Sequence, residues 1–245
     1  MAFKVDVWFS CTDRMMLELH QRGKTIEEIK LVLRRVPIHP RIVPAIKIAH
    51  ALGCDLIIVS DANTLFIETI LGHLGIKDCF SEINTNPSYC DDEGRLRISP
   101  YVDFKSSPHG CINPCPPNMC KGMIVERIKL CSVAKEGKKR MIYLGDGLGD
   151  FCPSLQLEEG DFMMPRKKFP AWNLIRENLG RIRAEIHEWM DGAELESILL
   201  QLIEKVRIQE SAVQSALMGD CKFSSIPMAA VHHESRPLHV LRVHQ

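Results

Sequence analysis

The amino-acid sequence predicts an α/β fold in which short parallel strands alternate with amphipathic helices. Two aliphatic runs, Leu56–Val59 and Met141–Leu144, each have the length and composition of one buried parallel strand. Between them, Ile124–Val133 has the apolar spacing of an amphipathic helix. Strands and helices that alternate in this way are typical of a parallel sheet with helices packed on its faces.

Composition limits the class of protein. The 245 residues suit one α/β domain with a small insertion, and 45% of them are apolar. Lys plus Arg equals Asp plus Glu at 31 each, so the net charge does not indicate a nucleic acid or an anionic membrane as partner. The sequence contains no run of about 18 apolar residues, so no transmembrane helix is expected. Ten cysteines without a recognisable secretory signal indicate reduced thiols or metal ligands, and therefore a cytoplasmic protein.

The N-terminal part of the chain predicts helices after an atypical start, residues 1–12. Phe3–Phe9 alternates apolar and polar residues as a half-buried strand does, although a frayed terminus fits equally well. Residues 13–40 predict two helices. Asp13 can cap the first, and Thr25–Glu28 has the capping-box pattern that begins the second.

The remaining elements follow in order. A helix is expected at Arg41–Leu52, a strand at Phe80–Asn84, and a hairpin partner at Arg95–Tyr101. After the second central strand, helices are predicted at Phe151–Leu157, Trp172–Leu179, Ile182–Trp189 and Ala193–Arg207, with a strand at Asp161–Met164. Ser, Gly, His and Pro dominate residues 208–245, which we expect to be a loosely ordered tail.

Two carboxylates follow the second central strand at the point where it ends. Met141–Leu144 leads into Gly145-Asp146-Gly147, and Asp150 comes shortly after. The glycines allow the backbone to turn sharply. Ligands of open α/β sheets bind beyond the carboxyl ends of the strands, and carboxylates suit Mg²⁺ acting together with a phosphate. Asp146 and Asp150 are therefore candidate metal ligands, with a merely acidic turn as the alternative.

Polar residues also follow the first central strand. The hydroxyl of Ser60 can hold a phosphate oxygen, and Asn63 can begin the next helix as its N-cap, although capping alone would explain both. Lys121 begins the helix between the two strands, where a cation opposes the helix dipole, which indicates that it holds an anion. Arg166–Lys168 offers three more cations, either as phosphate-steering groups or as a solvated basic loop.

A second group of chemically active residues lies in the segment His109–Cys120. Soft thiolates together with an imidazole suit tetrahedral Zn²⁺. The spacing is not the paired C-x-x-C of zinc ribbons, so zinc, free thiols and a redox pair all remain possible interpretations. Cys131 and Cys152 are expected to be buried apolar thiols. The candidate zinc ligands are His109, Cys111, Cys115 and Cys120.

Four stretches resemble one family of haloacid-dehalogenase-like phosphatases, the phosphoethanolamine/phosphocholine phosphatase family. They are I-V-S-D-A-N, C-P-P-N-M-C-K-G, Y-L-G-D-G-L-G-D-F-C-P-S-L and M-P-R-K-K-F-P. The residues of these four stretches are most similar to the plant branch of the family, whose members are named inorganic pyrophosphatases and thiamine phosphate phosphatase-like proteins. The resemblance runs from about Asp13 to Ile203.

The resemblance implies a fold and a set of roles. The fold would be a Rossmann-like, mainly parallel sheet with a reduced helical cap, so that residues 13–207 form the phosphatase domain and 13–40 the cap remnant. Ser60 would bind a phosphate oxygen and Lys121 would stabilise its charge as catalytic residues. Asp61 and Asn63 would contact the substrate, while the two carboxylates after the second strand would bind Mg²⁺.

One departure from the family concerns the nucleophile. The family begins with a strand ending in Asp-x-Asp-x-Thr, whose first Asp attacks phosphorus and whose second protonates the leaving group. The printed sequence has no such motif, and Trp8 stands two positions after Asp6. We therefore expect a lost or replaced first segment and impaired hydrolysis of pyrophosphate, phosphocholine, phosphoethanolamine or thiamine phosphate. The alternative is a catalytically inactive isoform that binds a phosphate compound or a protein partner.

Overall fold

The computed structural model describes residues 8–136 and 139–219. The helices in that part of the chain are α1 (Trp8–Gln21), α2 (Ile26–Leu33), α3 (Ile42–Ala51), α4 (Thr64–Leu74), α5 (Lys121–Glu136), α6 (Phe151–Ser154), α7 (Pro170–Glu177) and α8 (Gly192–Gly219). The strands are β1 (Leu56–Asn63), β2 (Phe80–Asn86), β3 (Ser88–Cys90), β4 (Leu96–Ile98), β5 (Ile142–Gly145), β6 (Phe162–Pro165) and β7 (Glu185–Ile186). Short 3-10 turns lie at Lys77–Cys79, Leu148–Asp150 and Leu179–Arg181.

Parallel pairing dominates, which confirms the predicted α/β class with a mainly parallel sheet. β1 pairs with β2, and β5, β6 and β7 form a second parallel group in that order. The predicted segment Arg95–Tyr101 contains β4, which forms an antiparallel hairpin with β3 and not with the predicted strand Phe80–Asn84, since that strand lies in β2 and pairs with β1. β1 ends at the predicted site residue Asn63, and β5 ends at Gly145, directly before the predicted site residue Asp146.

Helix α5 packs against strands from both parallel groups. Its Ile124 and Ile128 are buried against Ile57 and Val59 of β1. Its Val125, 1% exposed, belongs to the cluster that contains Tyr143 of β5. Burial of such side chains stabilises the fold by about 1.5–3 kcal/mol each. The start of α5, where Lys121 lies, is thus fixed by packing on two sides.

The helical pair at the N-terminus confirms one expectation and corrects another. The capping box of α2 is present, with the Glu28 amide donating to the Thr25 hydroxyl and the Glu28 carboxylate accepting from the Thr25 amide. Asp13 does not cap α1, because the helix already begins at Trp8. The strand-like interpretation of Phe3–Phe9 is wrong for the last two residues, which are helical. The first five residues of that segment lie outside the described residues.

Asp13 instead joins α1 to β4. Its carboxylate accepts hydrogen bonds from Arg97 Nε at 3.0 Å, Arg97 Nη2 at 2.9 Å and the Ile98 amide at 2.8 Å. Burial alone would raise the pKa of Asp13, but the hydrogen bonds and the charge of Arg97 hold it below its usual value. This long-range contact places the predicted cap remnant against the β3–β4 hairpin.

The predicted helix at Ile182–Trp189 is wrong, because this segment contains strand β7. The Glu185 amide donates to Asp161 O at 3.0 Å and the His187 amide to Met163 O at 2.8 Å, so β7 extends the sheet beyond β6. Ile182, Ile186 and Trp189 also fit helical spacing, and periodicity cannot distinguish a helix from a strand in so short a run.

The C-terminal tail prediction is wrong for residues 208–219, since α8 continues through Gly219. The chain divides into two units at the boundary between Arg207 and Ile208. The rest of the tail prediction, residues 220–245 with their histidines, lies outside the described residues. The division of residues 13–207 into cap remnant and core stays a prediction.

Candidate active site

Asp150 is the centre of a buried group of polar side chains at the end of β5. It is 4% exposed, and its Oδ1 accepts hydrogen bonds from Lys121 Nζ at 2.8 Å and from the Tyr143 hydroxyl at 2.8 Å. Its Oδ2 accepts from the amides of Asp146 at 3.1 Å and Gly147 at 2.9 Å. We call Lys121, Tyr143 and Asp150 the carboxylate corner. Four donors, one of them charged, stabilise the ionised carboxylate.

Local sequence explains why the chain turns here. Gly145 ends β5, and a side chain at this position would bring its Cβ to 2.5 Å from Cβ of Asp150, so only glycine allows the approach. The 3-10 turn Leu148–Asp150 then returns the Asp150 carboxylate to the strand end. Burial, followed by the Asp150 charge, raises the pKa of Tyr143 well above its ordinary value, which keeps its hydroxyl a donor.

Asp146 differs from Asp150 in its surroundings. Asp146 is an exposed residue. Its backbone amide donates to the Asp150 carboxylate, and its backbone carbonyl accepts from the amide of Ala171, at the start of α7, at 3.1 Å. Within residues 8–136 and 139–219 its carboxylate has no hydrogen-bond donor or cationic partner. An exposed carboxylate on a backbone fixed at two points is well suited to accept a cation from solvent.

A second polar network surrounds Asp61 at the end of β1. Asp61 Oδ1 accepts from Asn86 Nδ2 at 2.9 Å and from Asn118 Nδ2 at 2.6 Å. Asn118 is fully buried, and its Oδ1 has no hydrogen-bond partner among the described residues. Neither asparagine was among the site residues predicted from the sequence. The signal for Asn118 was its place in C-P-P-N-M-C-K, three residues before Lys121.

The other two predicted residues of β1 make local contacts. Ser60 Oγ accepts from the Ala62 amide at 3.2 Å. Asn63, 1% exposed, accepts from the Phe66 amide at 3.1 Å and is the N-cap of α4. The capping alternative therefore accounts for Asn63. No hydrogen bond in the described part of the chain joins Ser60 to Lys121 or Asp146.

The structure thus brings some predicted residues together and leaves others separate. Lys121, Asp146 and Asp150 share one hydrogen-bonded group. Asp61 is connected to them through Asn118 and the short segment that leads to α5. Of the basic loop, Arg166 lies over the rings of Phe169 and Trp189 with its guanidinium carbon 4.2 and 5.2 Å from their centroids, so it packs as a structural cation.

Four cysteine side chains meet directly beside the carboxylate corner. Neighbouring Sγ atoms are 3.7 Å (Cys111–Cys115), 3.6 Å (Cys115–Cys120), 3.6 Å (Cys120–Cys152) and 3.7 Å (Cys152–Cys111) apart. All four sulfur atoms lie within 4.8 Å of one another. The Cys115 thiol donates to Cys120 sulfur, which lowers the pKa of Cys120 and raises that of Cys115. We call these four residues the cysteine corner.

The membership of the cysteine corner corrects the predicted ligand set. His109 is not part of it, because its Nε2 lies 3.0 Å from Pro116 O and its Nδ1 accepts from the Cys111 amide at 3.1 Å. Cys152 is buried, as predicted, and takes the place in the cluster that the predicted ligand set gave to His109. Cys131 was also expected to be buried and is exposed.

Similarity to known proteins settles the family. A family model described as Putative Phosphatase matches residues 1–203. The chain belongs to this phosphatase family. It is 58% identical to inorganic pyrophosphatase 1 of Arabidopsis thaliana over 243 residues, which cover 97% of this chain and 82% of the relative.

Further relatives agree with the family. The thiamine phosphate phosphatase-like protein of Arabidopsis thaliana is 48% identical over 205 residues, covering 84% of this chain and 83% of the relative. The phosphoethanolamine/phosphocholine phosphatase of Gallus gallus is 28% identical over 212 residues, covering 83% of this chain and 76% of the relative. The resemblance inferred from the four sequence stretches is therefore confirmed. Among the described residues, no helix has the length and apolar character required to cross a bilayer.

Proposed function

We propose that this chain binds small phosphorylated compounds and Mg²⁺ beyond the carboxyl ends of β1 and β5, as the phosphate-binding and metal-binding part of a phosphatase. The observation that carries this proposal is the buried Lys121–Asp150 pair next to the exposed carboxylate of Asp146. A positioned ammonium provides charge for a phosphate, and a free carboxylate provides a hard oxygen ligand for a divalent cation.

Asp146 fits the role of Mg²⁺ ligand better than Asp150 does. Both oxygens of Asp150 already accept hydrogen bonds, two each, whereas the Asp146 carboxylate faces solvent. Asp150 would support the site by holding the Asp146 amide and Lys121 in place. When bound, Mg²⁺ would neutralise negative charge on the phosphoryl group.

Lys121 and Ser60 would hold the phosphate. The ammonium of Lys121 has three N–H donors, one of which goes to Asp150, so others can go to phosphate oxygens. Ser60 accepts from the Ala62 amide and keeps its own proton to donate.

The Asp61 network would contact the rest of the substrate. Asn86 and Asn118 orient Asp61, and the unpartnered, buried Oδ1 of Asn118 could accept a hydrogen bond from a substrate donor. Asn63 uses its oxygen to cap α4, so a substrate contact from it would use the amide nitrogen.

Turnover by the 245 residues as printed should be slow. Their sequence contains no Asp-x-Asp-x-Thr, and Asp150 is too fully hydrogen-bonded to act as a nucleophile in its place. Loss of the nucleophile of a protease triad lowers kcat by about 10⁶. We therefore infer that these residues bind phosphate and metal but hydrolyse substrate poorly.

A direct assay tests the impairment. The 245-residue chain would be compared with a version that carries a family-type Asp-x-Asp-x-Thr strand at its N-terminus, on pyrophosphate, phosphocholine, phosphoethanolamine and thiamine phosphate with Mg²⁺. Pyrophosphate comes first because of the 58% identity to a protein named inorganic pyrophosphatase 1. We expect the extended version to be faster by more than about a hundredfold. If both versions turned over substrate, at rates within about tenfold of each other, the printed residues would contain their own nucleophile.

Metal binding has a separate test. Calorimetric titration with Mg²⁺ should show weaker binding for Asp146→Asn than for the parent chain. Asp92→Asn is the matched control, since Asp92 is an exposed acid in the turn between β3 and β4. Equal affinity of the Asp146 variant and the parent would reject the assignment.

The second candidate function is a non-catalytic one, in which the same site binds a phosphate compound or a protein partner without turnover. It is favoured by the fully paired Asp150 together with the absence of the nucleophile motif from the printed sequence. Phosphate binding that depends on Lys121, combined with no activity in either version of the chain, would support it.

We propose the cytoplasm as the location. The nine cysteines that the structure describes are free thiols, which suits a reducing compartment. Imaging of a fluorescent fusion would test this, and a signal in the secretory pathway would contradict it.

A further inference from the structure

We propose that the cysteine corner is a structural zinc site in which Cys111, Cys115, Cys120 and Cys152 each supply one thiolate. Four sulfur atoms from two separate parts of the chain, the loop before α5 and helix α6, converge here. Cys111 and Cys115 come from the loop before α5, Cys120 immediately precedes α5, and Cys152 is in α6. Such convergence of soft ligands is the donor set that Zn²⁺ prefers.

Four of the six distances between the sulfur atoms are close to those of a tetrahedron around zinc. A Zn–S bond of about 2.3 Å requires sulfur atoms about 3.8 Å apart along each edge. Four of the six edges measure 3.6–3.7 Å, and the other two, Cys111–Cys120 and Cys115–Cys152, are at most 4.8 Å. An ion could therefore bind at the centre if those two edges adjusted by no more than about 1 Å.

The same distances do not single out one redox pair among the four cysteines. A disulfide has sulfur atoms about 2.05 Å apart and would divide four cysteines into two short pairs. Here the four edges are nearly equal and each sulfur has two close sulfur neighbours. One central ion would use all four sulfur atoms equally, whereas a single disulfide would use only two of them.

The surrounding residues also suit thiolates. Asn113 Nδ2 lies 3.5 Å from Cys152 Sγ and 3.7 Å from Cys111 Sγ, so it donates toward two of the sulfur atoms. Donors in the outer shell of a metal site orient the ligands and stabilise their charge. Gly122 leaves space for the Cys152 side chain, because a Cβ at this position would overlap with Cys152 Sγ. Only glycine lets α5 approach α6 closely enough for Cys152 to join the cluster.

Zinc content of the purified 245-residue chain is the decisive measurement. Protein prepared without chelator should contain about one equivalent of zinc by elemental mass spectrometry. Cobalt substitution should give the thiolate-to-cobalt charge-transfer bands and visible bands of a tetrahedral all-thiolate site. Less than about a tenth of an equivalent, with no zinc taken up on titration, would overturn the proposal.

Variants assign the ligands. Cys111→Ser and Cys152→Ser should each lose most of the zinc, whereas His109→Ala and the exposed Cys131→Ser should keep it. Retention of zinc in Cys152→Ser together with loss in His109→Ala would show a different ligand set and reject this one. If the serine variants fail to fold, metal content and the cobalt spectrum of the parent chain still decide.

Accessible thiols provide a check on the rival chemistry. The parent chain should show about four fewer reactive thiols before metal removal by chelator than after it. A gain of thiols after treatment with reductant alone would instead indicate disulfides. These measurements need no substrate, so their outcome is independent of the proposed phosphatase activity.

Discussion

The carboxylate corner and the cysteine corner meet at the start of α5 and are completed in different ways. Lys121 belongs to the first and Cys120, its neighbour in sequence, to the second. Asp150 has donors for both oxygens from the protein itself. The cysteine sulfur atoms mainly contact one another, and thiols are weak donors and acceptors.

This difference shows what each corner needs from outside the chain. A buried carboxylate with a complete set of donors is stable as it stands, so its removal harms the protein directly. A cluster of four thiols, two of them buried, would gain stability when a metal replaced the weak contacts between sulfur atoms. Both corners hold α5 and α6 together, since Asp150 and Cys152 are close in sequence.

The largest expected effect is that of Asp150→Asn. The substitution leaves the Lys121 ammonium, with a side chain only 14% exposed, without its carboxylate partner. We expect a loss of about 4 kcal/mol in the free energy of unfolding, measured by urea denaturation. Asp92→Asn, an exposed control, should change it by less than about 0.5 kcal/mol. A loss below about 1 kcal/mol for Asp150→Asn would mean that the pair contributes no more than a surface ion pair.

Metal removal should have the next largest effect and should act on the cysteine corner. A ligand present at about 100 times its Kd stabilises the folded state by about 2.7 kcal/mol, and that stabilisation disappears when it is removed. Thermal unfolding after treatment with a zinc-selective chelator should show a lower Tm that returns on adding Zn²⁺. An unchanged Tm in protein shown to have lost zinc would make the site irrelevant to stability.

Gly122→Ala separates the cysteine corner from general helix effects. The new methyl would overlap with Cys152 Sγ, so we expect a loss of about 2 kcal/mol and weaker zinc retention. Gly72→Ala in α4 is the matched control, because a methyl there meets no atom within 4 Å. Alanine should stabilise that helix by up to about 1 kcal/mol. Similar stability changes in both variants would contradict the close approach at Gly122.

Sequence could predict the parts of the site that depend on neighbouring residues. β1, β5, the start of α5 at Lys121 and the capping box of α2 follow from apolar runs and local capping patterns. Cys152 joins Cys120 across 32 positions, and Asn118 joins Asp61 across 57. Periodicity and spacing describe only nearby residues, so these two partners required the tertiary structure.

The same limit explains the errors. Asp13 has the residue type of a helix cap, but its actual partners, Arg97 and Ile98, are more than 80 positions away. β7 exists because β6 offers its backbone for pairing, which the local sequence Ile182–Trp189 does not reveal. In each case a long-range partner decided the role of a residue whose local pattern allowed two interpretations.

The smallest expected effect is that of Asp13→Asn, which tests whether burial explains the importance of Asp150. Asp13 also accepts hydrogen bonds from a cation and a backbone amide, but its side chain is 20% exposed and that of Arg97 34%. Solvent therefore screens the pair, and we expect the free energy of unfolding at pH 7, measured by urea denaturation, to fall by only about 1 kcal/mol.

Because the pKa of Asp13 is lowered by folding, the stabilisation from its carboxylate is present above the unfolded pKa of about 3.9 and is lost as the pH falls through the lower folded value. The difference between parent and variant should therefore be constant from pH 7 to about pH 5 and shrink in more acidic solution. A loss as large as that of Asp150→Asn would show that the number of donors, and not burial, sets the contribution of these carboxylates.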